Sequence, residues 1–143
     1  MIVPWPPPQA SAAILALTLI LTGAVAAQPS GAPGFTAAQA ADGRTAYTAR
    51  CAACHLEDLD GNGDAPQLAG DAFVSNWKQK TTSDLLQYLK GMPPGGPALT
   101  EAEYVTVVAY LLEQNGAAAG EAPLAAGTGA VIGSVATGRR PAR

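Results

Sequence analysis

The sequence predicts an all-α fold with three main helices joined by loops. Apolar residues recur at helical spacing in three segments, stop and start signals bracket them, and no stretch alternates apolar with polar residues as a half-buried strand does. The first segment, Thr36 to Arg50, is Ala-rich and free of proline. Gly43 and Tyr47 lie four apart on one face of it, so the glycine allows a close helix crossing and Tyr47 packs in the core. The second runs from Ser83 to Lys90, with Asp84 in its first turn, Leu85, Leu86 and Leu89 as its apolar face, and Gly91 just past its end. The third carries the strongest signals. Thr100 and Glu103 have the spacing of a capping box; Tyr104, Val107, Val108 and Leu111 follow at i, i+3, i+4 and i+7, and Gly116 closes the segment after Asn115. Loops rich in Gly, Pro, Asn and Asp separate the helices.

The ends of the chain differ from this core. Residues 1–41 carry no charged side chain, and Ala12 to Thr22 is an apolar run followed by Gly23 and Ala24-Val25-Ala26-Ala27. That is the form of a signal peptide, 1–27, cleaved after Ala26 or Ala27, although its first residues are Pro-rich and lack Lys or Arg. An uncleaved membrane anchor is the competing reading, with Ala10 to Ala27 barely long enough to span. A short linker, 28–35, then leads to one small domain, 36–116, and a Gly/Ala-rich run, 117–143, expected to be a flexible tail. Its terminal Arg139-Arg140-Pro141-Ala142-Arg143 either meets an acidic partner or lipid headgroups or is simply solvated. The domain has five basic residues (Arg44, Arg50, Lys78, Lys80, Lys90) against ten acidic ones, a balance that excludes nucleic-acid binding.

Chemistry is concentrated in one pentapeptide. Both cysteines and the single histidine of the 143-residue chain fall in Cys51-Ala52-Ala53-Cys54-His55. On a helix these three side chains share a face. C-x-x-C-H is the signature of covalent haem attachment, in which two thiols form thioethers with the two vinyl groups of one porphyrin and the imidazole becomes the proximal iron ligand. A zinc site, a thioredoxin-like redox pair and a plain disulfide are the competing readings. Zinc normally takes four Cys or His ligands and the chain offers three. The redox pair expects a βαβ setting, and the disulfide would close a very small loop. A domain this short buries little surface, so a porphyrin at its centre would supply much of its apolar core.

Six-coordinate iron needs a second donor. With Met1 removed in the signal, Met92 is the remaining methionine, in the rigid loop Gly91-Met92-Pro93-Pro94-Gly95-Gly96 between two helices. The intervening chain is long enough to pass around a porphyrin and return a thioether to its far face. Gap-filling is the other common role of a methionine, and Lys or the amino terminus are the other candidate donors.

Together these motifs resemble those of the class I c-type cytochromes, the monohaem His/Met family. The resemblance covers about residues 39–115 and rests on Cys51-Ala-Ala-Cys54-His55, Pro66-Gln67-Leu68-Ala69-Gly70, Met92-Pro93 and a terminal helix with Tyr110. It implies a small cytochrome c fold around one covalent haem c, with first and last helices crossing near Gly43 and Tyr110. It also implies that the Pro66 carbonyl accepts a hydrogen bond from His55, and that Trp77 stands near a haem propionate, where plain core packing is the alternative. With His55 and Met92 both on the iron no position is open to substrate, so the protein is expected to transfer electrons rather than catalyse. The expected function is periplasmic shuttling of single electrons between redox proteins, such as a dehydrogenase and a terminal oxidase, through transient contacts.

Two other functions stay open. The chain is alternatively a haem-bearing subunit of a dehydrogenase or oxidase complex, and it touches a membrane only if its N-terminus is retained. A third reading is a sensing or peroxidase haem with labile Met92. Lys78, Lys80 and Lys90 either rim the haem edge or are scattered, solvated charges. Asp58-Leu59-Asp60-Gly61-Asn62-Gly63-Asp64 matches the first half of a calcium loop, but the twelfth position, a Glu in such loops, is Ala69. An acidic glycine-rich turn is the expected structure there.

Overall fold

A computed structural model of the chain describes residues 1–2 and 34–142. The expected signal peptide and most of the expected linker lie outside the described residues. Six helices succeed one another among the described residues: α1 (Ala37–Arg50), α2 (Ala52–His55), α3 (Asp71–Trp77), α4 (Thr82–Leu89), α5 (Glu101–Gln114) and α6 (Ile132–Val135). No strand is present among those residues, and extended pairing is limited to the isolated bridges Asn62–Ala65 and Thr81–Val131. The fold is all-α, as the sequence predicts.

Each long helix begins with a reciprocal cap. Thr36 accepts from Gln39 N at 3.2 Å while the Gln39 side chain accepts from Thr36 N at 3.2 Å. Thr81 with Asp84 and Thr100 with Glu103 repeat the arrangement at α4 and α5. Each box satisfies backbone donors that the first turn would otherwise leave unpaired. The backbone and hydroxyl hydrogen bonds from Thr81 and Thr100 hold the carboxyls of Asp84 and Glu103 below their ordinary range.

Helices α1 and α5 form the centre of the core, and they cross where Gly43 meets the backbone of Thr106. A side chain at residue 43 would place its Cβ inside the Thr106 carbonyl and 2.9 Å from Tyr110 Cβ. Close by, the rings of Tyr47 and Tyr110 pack with centroids 5.3 Å apart. Val107, Val108, Leu111 and Leu112 of α5 are buried together with Leu85 and Leu86 of α4. The crossing near Gly43 and Tyr110 is as the family resemblance implied.

Helix α3 was expected as loop. It has seven residues and no side-chain cap, starting from Gly70 at φ +81°, so neither length nor an N-terminal signal marks it. Its Phe73 is buried all the same.

Residues 117–142 require a larger correction: they are not a flexible tail. From the end of α5 they return across the domain as a strap. Gly120 N donates to Phe35 O at 2.8 Å, and Leu124 exchanges two 2.8 Å hydrogen bonds with the Gln39 side chain. Thr82 N donates to Ala130 O at 2.8 Å, and Ile132 N and Gly133 N donate to the carbonyls of Lys80 and Lys78 at 2.9 and 3.0 Å. Ile132 is 0% exposed, and Leu124, Ala130 and Ala136 are buried as well. A Cβ at Gly133 would lie 2.6 Å from Lys78 O, so its missing side chain is what lets two backbones approach. Small residues read as signs of disorder serve here as close-packing contacts.

Candidate functional site

The last turn of α1 delivers Cys51 and the single turn of α2 presents Cys54 and His55. Cys51 ends one helix and starts the next: its N–H donates to Tyr47 O at 2.8 Å, and its carbonyl accepts from Cys54 N at 3.2 Å and His55 N at 2.9 Å. Leu56, at φ +62°, then breaks the helix in a backbone region that non-glycine residues seldom adopt. The Tyr47 hydroxyl holds this turn by donating to Leu56 O at 2.7 Å. Burial pushes the Tyr47 phenol well up, with Cys51 adding to the shift, so it stays a neutral donor. Burial likewise pushes the Cys51 thiol up, and the Arg50 guanidinium partly opposes it. Both cysteines are free thiols.

His55 Nδ1 lies 2.9 Å from the Pro66 carbonyl. A carbonyl only accepts, so Nδ1 carries the proton and Nε2 keeps its lone pair for a metal. The loop bearing Pro66 is folded on itself: Leu68 N donates to Leu59 O at 2.8 Å and Gly61 N to His55 O at 3.1 Å.

These residues border a cavity of about 370 Å³, within the usual range for small-molecule and cofactor sites. Cys51, Cys54, His55, Pro66, Trp77 and Met92, all singled out in the sequence, line it together. Leu85, Leu89 and Val107 supply apolar wall. Met92 is half-buried after α4, its N–H on Leu89 O at 2.8 Å and its carbonyl accepting from the Tyr104 hydroxyl at 2.8 Å. Trp77 stacks on Phe73 with centroids 6.4 Å apart, meets Tyr88 edge-on at 5.3 Å, and carries the Lys80 ammonium 4.5 Å above its ring.

Charge at the cavity is one-sided. The ionic side chains bordering it are Arg50 and Lys80, and no carboxylate borders it among the described residues. Sequence reasoning named neither Arg50 nor Tyr88 as a site residue. Of the three lysines considered as a rim, only Lys80 reaches the cavity; Lys90 pairs with Glu101 at 2.8 Å on the surface. In the acidic turn, Asp58 Oδ1 accepts from Asp60 N at 3.1 Å and Asp60 accepts from Gln67 Nε2 at 2.9 Å, while Ala69 is buried. The Asp58 and Asp60 carboxylates are thus engaged within the protein.

The set fits a haem. Two unpaired thiols one helical turn apart, an imidazole fixed through Nδ1, a thioether, apolar walls and two cations match a flat apolar ring bearing vinyls, an iron and two carboxylates. Comparison with known proteins agrees. Residues 38–111 match the family described as cytochrome C oxidase, cbb3-type, subunit III. The chain is also 31% identical over 105 residues to "Cytochrome c6" from Synechococcus sp. (strain ATCC 27167 / PCC 6312), covering 71% of this chain and 89% of that one. The chain belongs to the cytochrome c family. Its cofactor is accordingly covalently attached haem c, and it is an electron-transfer protein. No solved structure matches it.

Proposed function

We propose that this cytochrome is an exported, diffusible carrier that passes single electrons between redox proteins in the periplasm, with its haem held by Cys51, Cys54, His55 and Met92. The observation that carries this is that one cavity is bordered by both thiols, the sole histidine and the Met92 thioether. Haem c supplies a one-electron iron centre when bound. Cys51 and Cys54 tether it. His55 would offer Nε2 to the iron, oriented by the Pro66 carbonyl on Nδ1. Met92 offers its sulfur from a loop that the Tyr104 hydroxyl ties to α5. Thioether ligation and apolar walls favour the ferrous form. Arg50 and Lys80, with the Trp77 indole between Phe73 and Tyr88, are the groups available to the carboxylates. Two protein ligands leave the iron no place for substrate, which argues for a carrier over a catalyst.

Export rests on the charge-free leader with its apolar run and small-residue cleavage site. Among the described residues no helix is long and apolar enough to cross a membrane. A subunit held in a dehydrogenase or oxidase complex would use the same haem chemistry but would co-purify with a catalytic chain.

Met92→Ala tests the closed-site reading. The holoprotein variant is expected to lose the weak sulfur-to-iron absorption at the red end of the spectrum, to fall in reduction potential, and to bind carbon monoxide readily when reduced. Unchanged spectra and potential would remove Met92 as a ligand. Periplasmic fractionation of the wild type, with sequencing of its N-terminus, checks the rest: a soluble monomer beginning near Gln28 is expected, and a membrane-bound chain retaining Met1 would contradict it.

A further inference from the structure

The loop that carries Pro66 is held from outside at both of its ends. At one end Asn115, 0% exposed, donates from Nδ2 to Leu68 O at 3.0 Å and to Leu111 O at 2.8 Å, and its Oδ1 accepts from Gly70 N at 2.9 Å. At the other, Arg140 donates to Asp58 O at 3.0 Å and pairs with the Asp60 carboxylate. The two holds are linked. The backbone carbonyl of Asn115 accepts from Thr137 N and Gly138 N, both at 2.9 Å, and this turns the strap so that Arg140 reaches the loop. Asp60 in turn accepts from Gln67 Nε2 at 2.9 Å, one residue from the carbonyl that faces His55.

We infer that Asn115 and Arg140 are positioning residues that set the strength of the Pro66–His55 hydrogen bond, and through it the reduction potential of the haem. This rests on His55 being an iron ligand. An acceptor on Nδ1–H increases electron donation by the imidazole and so favours ferric iron. Loosening the loop weakens that bond, favours ferrous iron and raises the potential. The bond is present in both redox states, so only the difference in its strength between them counts, and the roughly fivefold worth of one whole hydrogen bond is the upper limit. A loosened one should change the ferrous-to-ferric ratio at fixed solution potential by about two- to fivefold. The strap thus acts on the redox centre from outside the cavity, since neither Asn115 nor Arg140 lines it.

A purely structural keystone would be fully buried and satisfied in the same way, so stability cannot separate the two roles. The holoprotein variants Asn115→Ala and Arg140→Gln should therefore be compared with Gln39→Ala, which unties the strap at Leu124, away from the Pro66 loop. The readouts are the reduction potential and the exchange rate of the His55 Nδ1 proton by NMR. Arg140→Gln removes a partly exposed ion pair and should fold even if Asn115→Ala does not. It is expected to raise the ferrous-to-ferric ratio at least about twofold and to speed Nδ1 proton exchange, while Gln39→Ala leaves both unchanged. An Arg140→Gln holoprotein with wild-type potential and exchange, or a Gln39→Ala variant with the same shifts, overturns the inference. A wild type without histidine ligation would instead overturn the carrier reading itself.

Discussion

Replacing Cys51 and Cys54 by Ala together should yield a protein with no covalently attached haem and a domain that barely folds. The first effect follows from the tether. Denaturation releases a haem held only by axial bonds, so mass spectrometry of the denatured double variant should give the polypeptide alone. Haem still attached covalently in that variant would refute the assignment of the two thiols. The second effect follows from the cavity. A sealed void of about 370 Å³ would cost about 9 kcal/mol at ~24 cal/mol per Å³, an upper bound because this one opens to solvent. Small domains are stable by only about 5–15 kcal/mol in all. The walls Leu85, Leu89 and Val107 are thus complete only with a ring between them. Circular dichroism should show the double variant melting far below the holoprotein.

Gly43→Ala should be the most damaging single substitution away from the haem. Alanine is favoured over glycine inside a helix by about 1 kcal/mol, which alone would stabilise α1. Overlap outweighs that gain. The new Cβ would lie 2.5 Å from the Thr106 carbonyl carbon and 2.9 Å from Tyr110 Cβ, against backbone that cannot rotate away. Overpacking in a tight core costs about 1–3 kcal/mol and sometimes more, and a clash with backbone belongs at or above the top of that range. Gly120→Ala is the comparison, since a Cβ there meets nothing within 4 Å. Denaturant midpoints should drop sharply for the first and stay near wild type for the second; equal midpoints would contradict the crossing described here.

The sequence revealed what has a local signature. Thr100 and Glu103 announced α5 and the leucines at 85, 86 and 89 announced α4, because caps and periodicity are written within a few residues; Gly43 four residues from Tyr47 announced room for a close crossing, and the family resemblance supplied its partner helix. The same holds for the site: three donors within five residues and one methionine in a Pro-Gly loop converge on one cavity. What stayed hidden depends on contacts between distant segments. Asn115 looked like the end of a helix, yet its side chain and carbonyl join the Leu68–Gly70 loop to the strap. The strap itself has no apolar stripe; it is held by backbone hydrogen bonds and a few buried residues such as Ile132, which no periodicity displays. Arg50 and Lys80 were legible only as charges until folding placed both on the cavity.

We propose that His55 and Met92 close both faces of a covalently held haem, making the iron an electron store rather than a catalytic centre. Visible spectra of the wild-type holoprotein, made in a cytochrome c-maturing host and recorded oxidised, reduced, and reduced under carbon monoxide, test it most directly. Low-spin spectra in both states, the sulfur-to-iron band when oxidised, and no change under carbon monoxide are predicted. A high-spin spectrum that shifts at once with carbon monoxide would show an open iron and contradict the account.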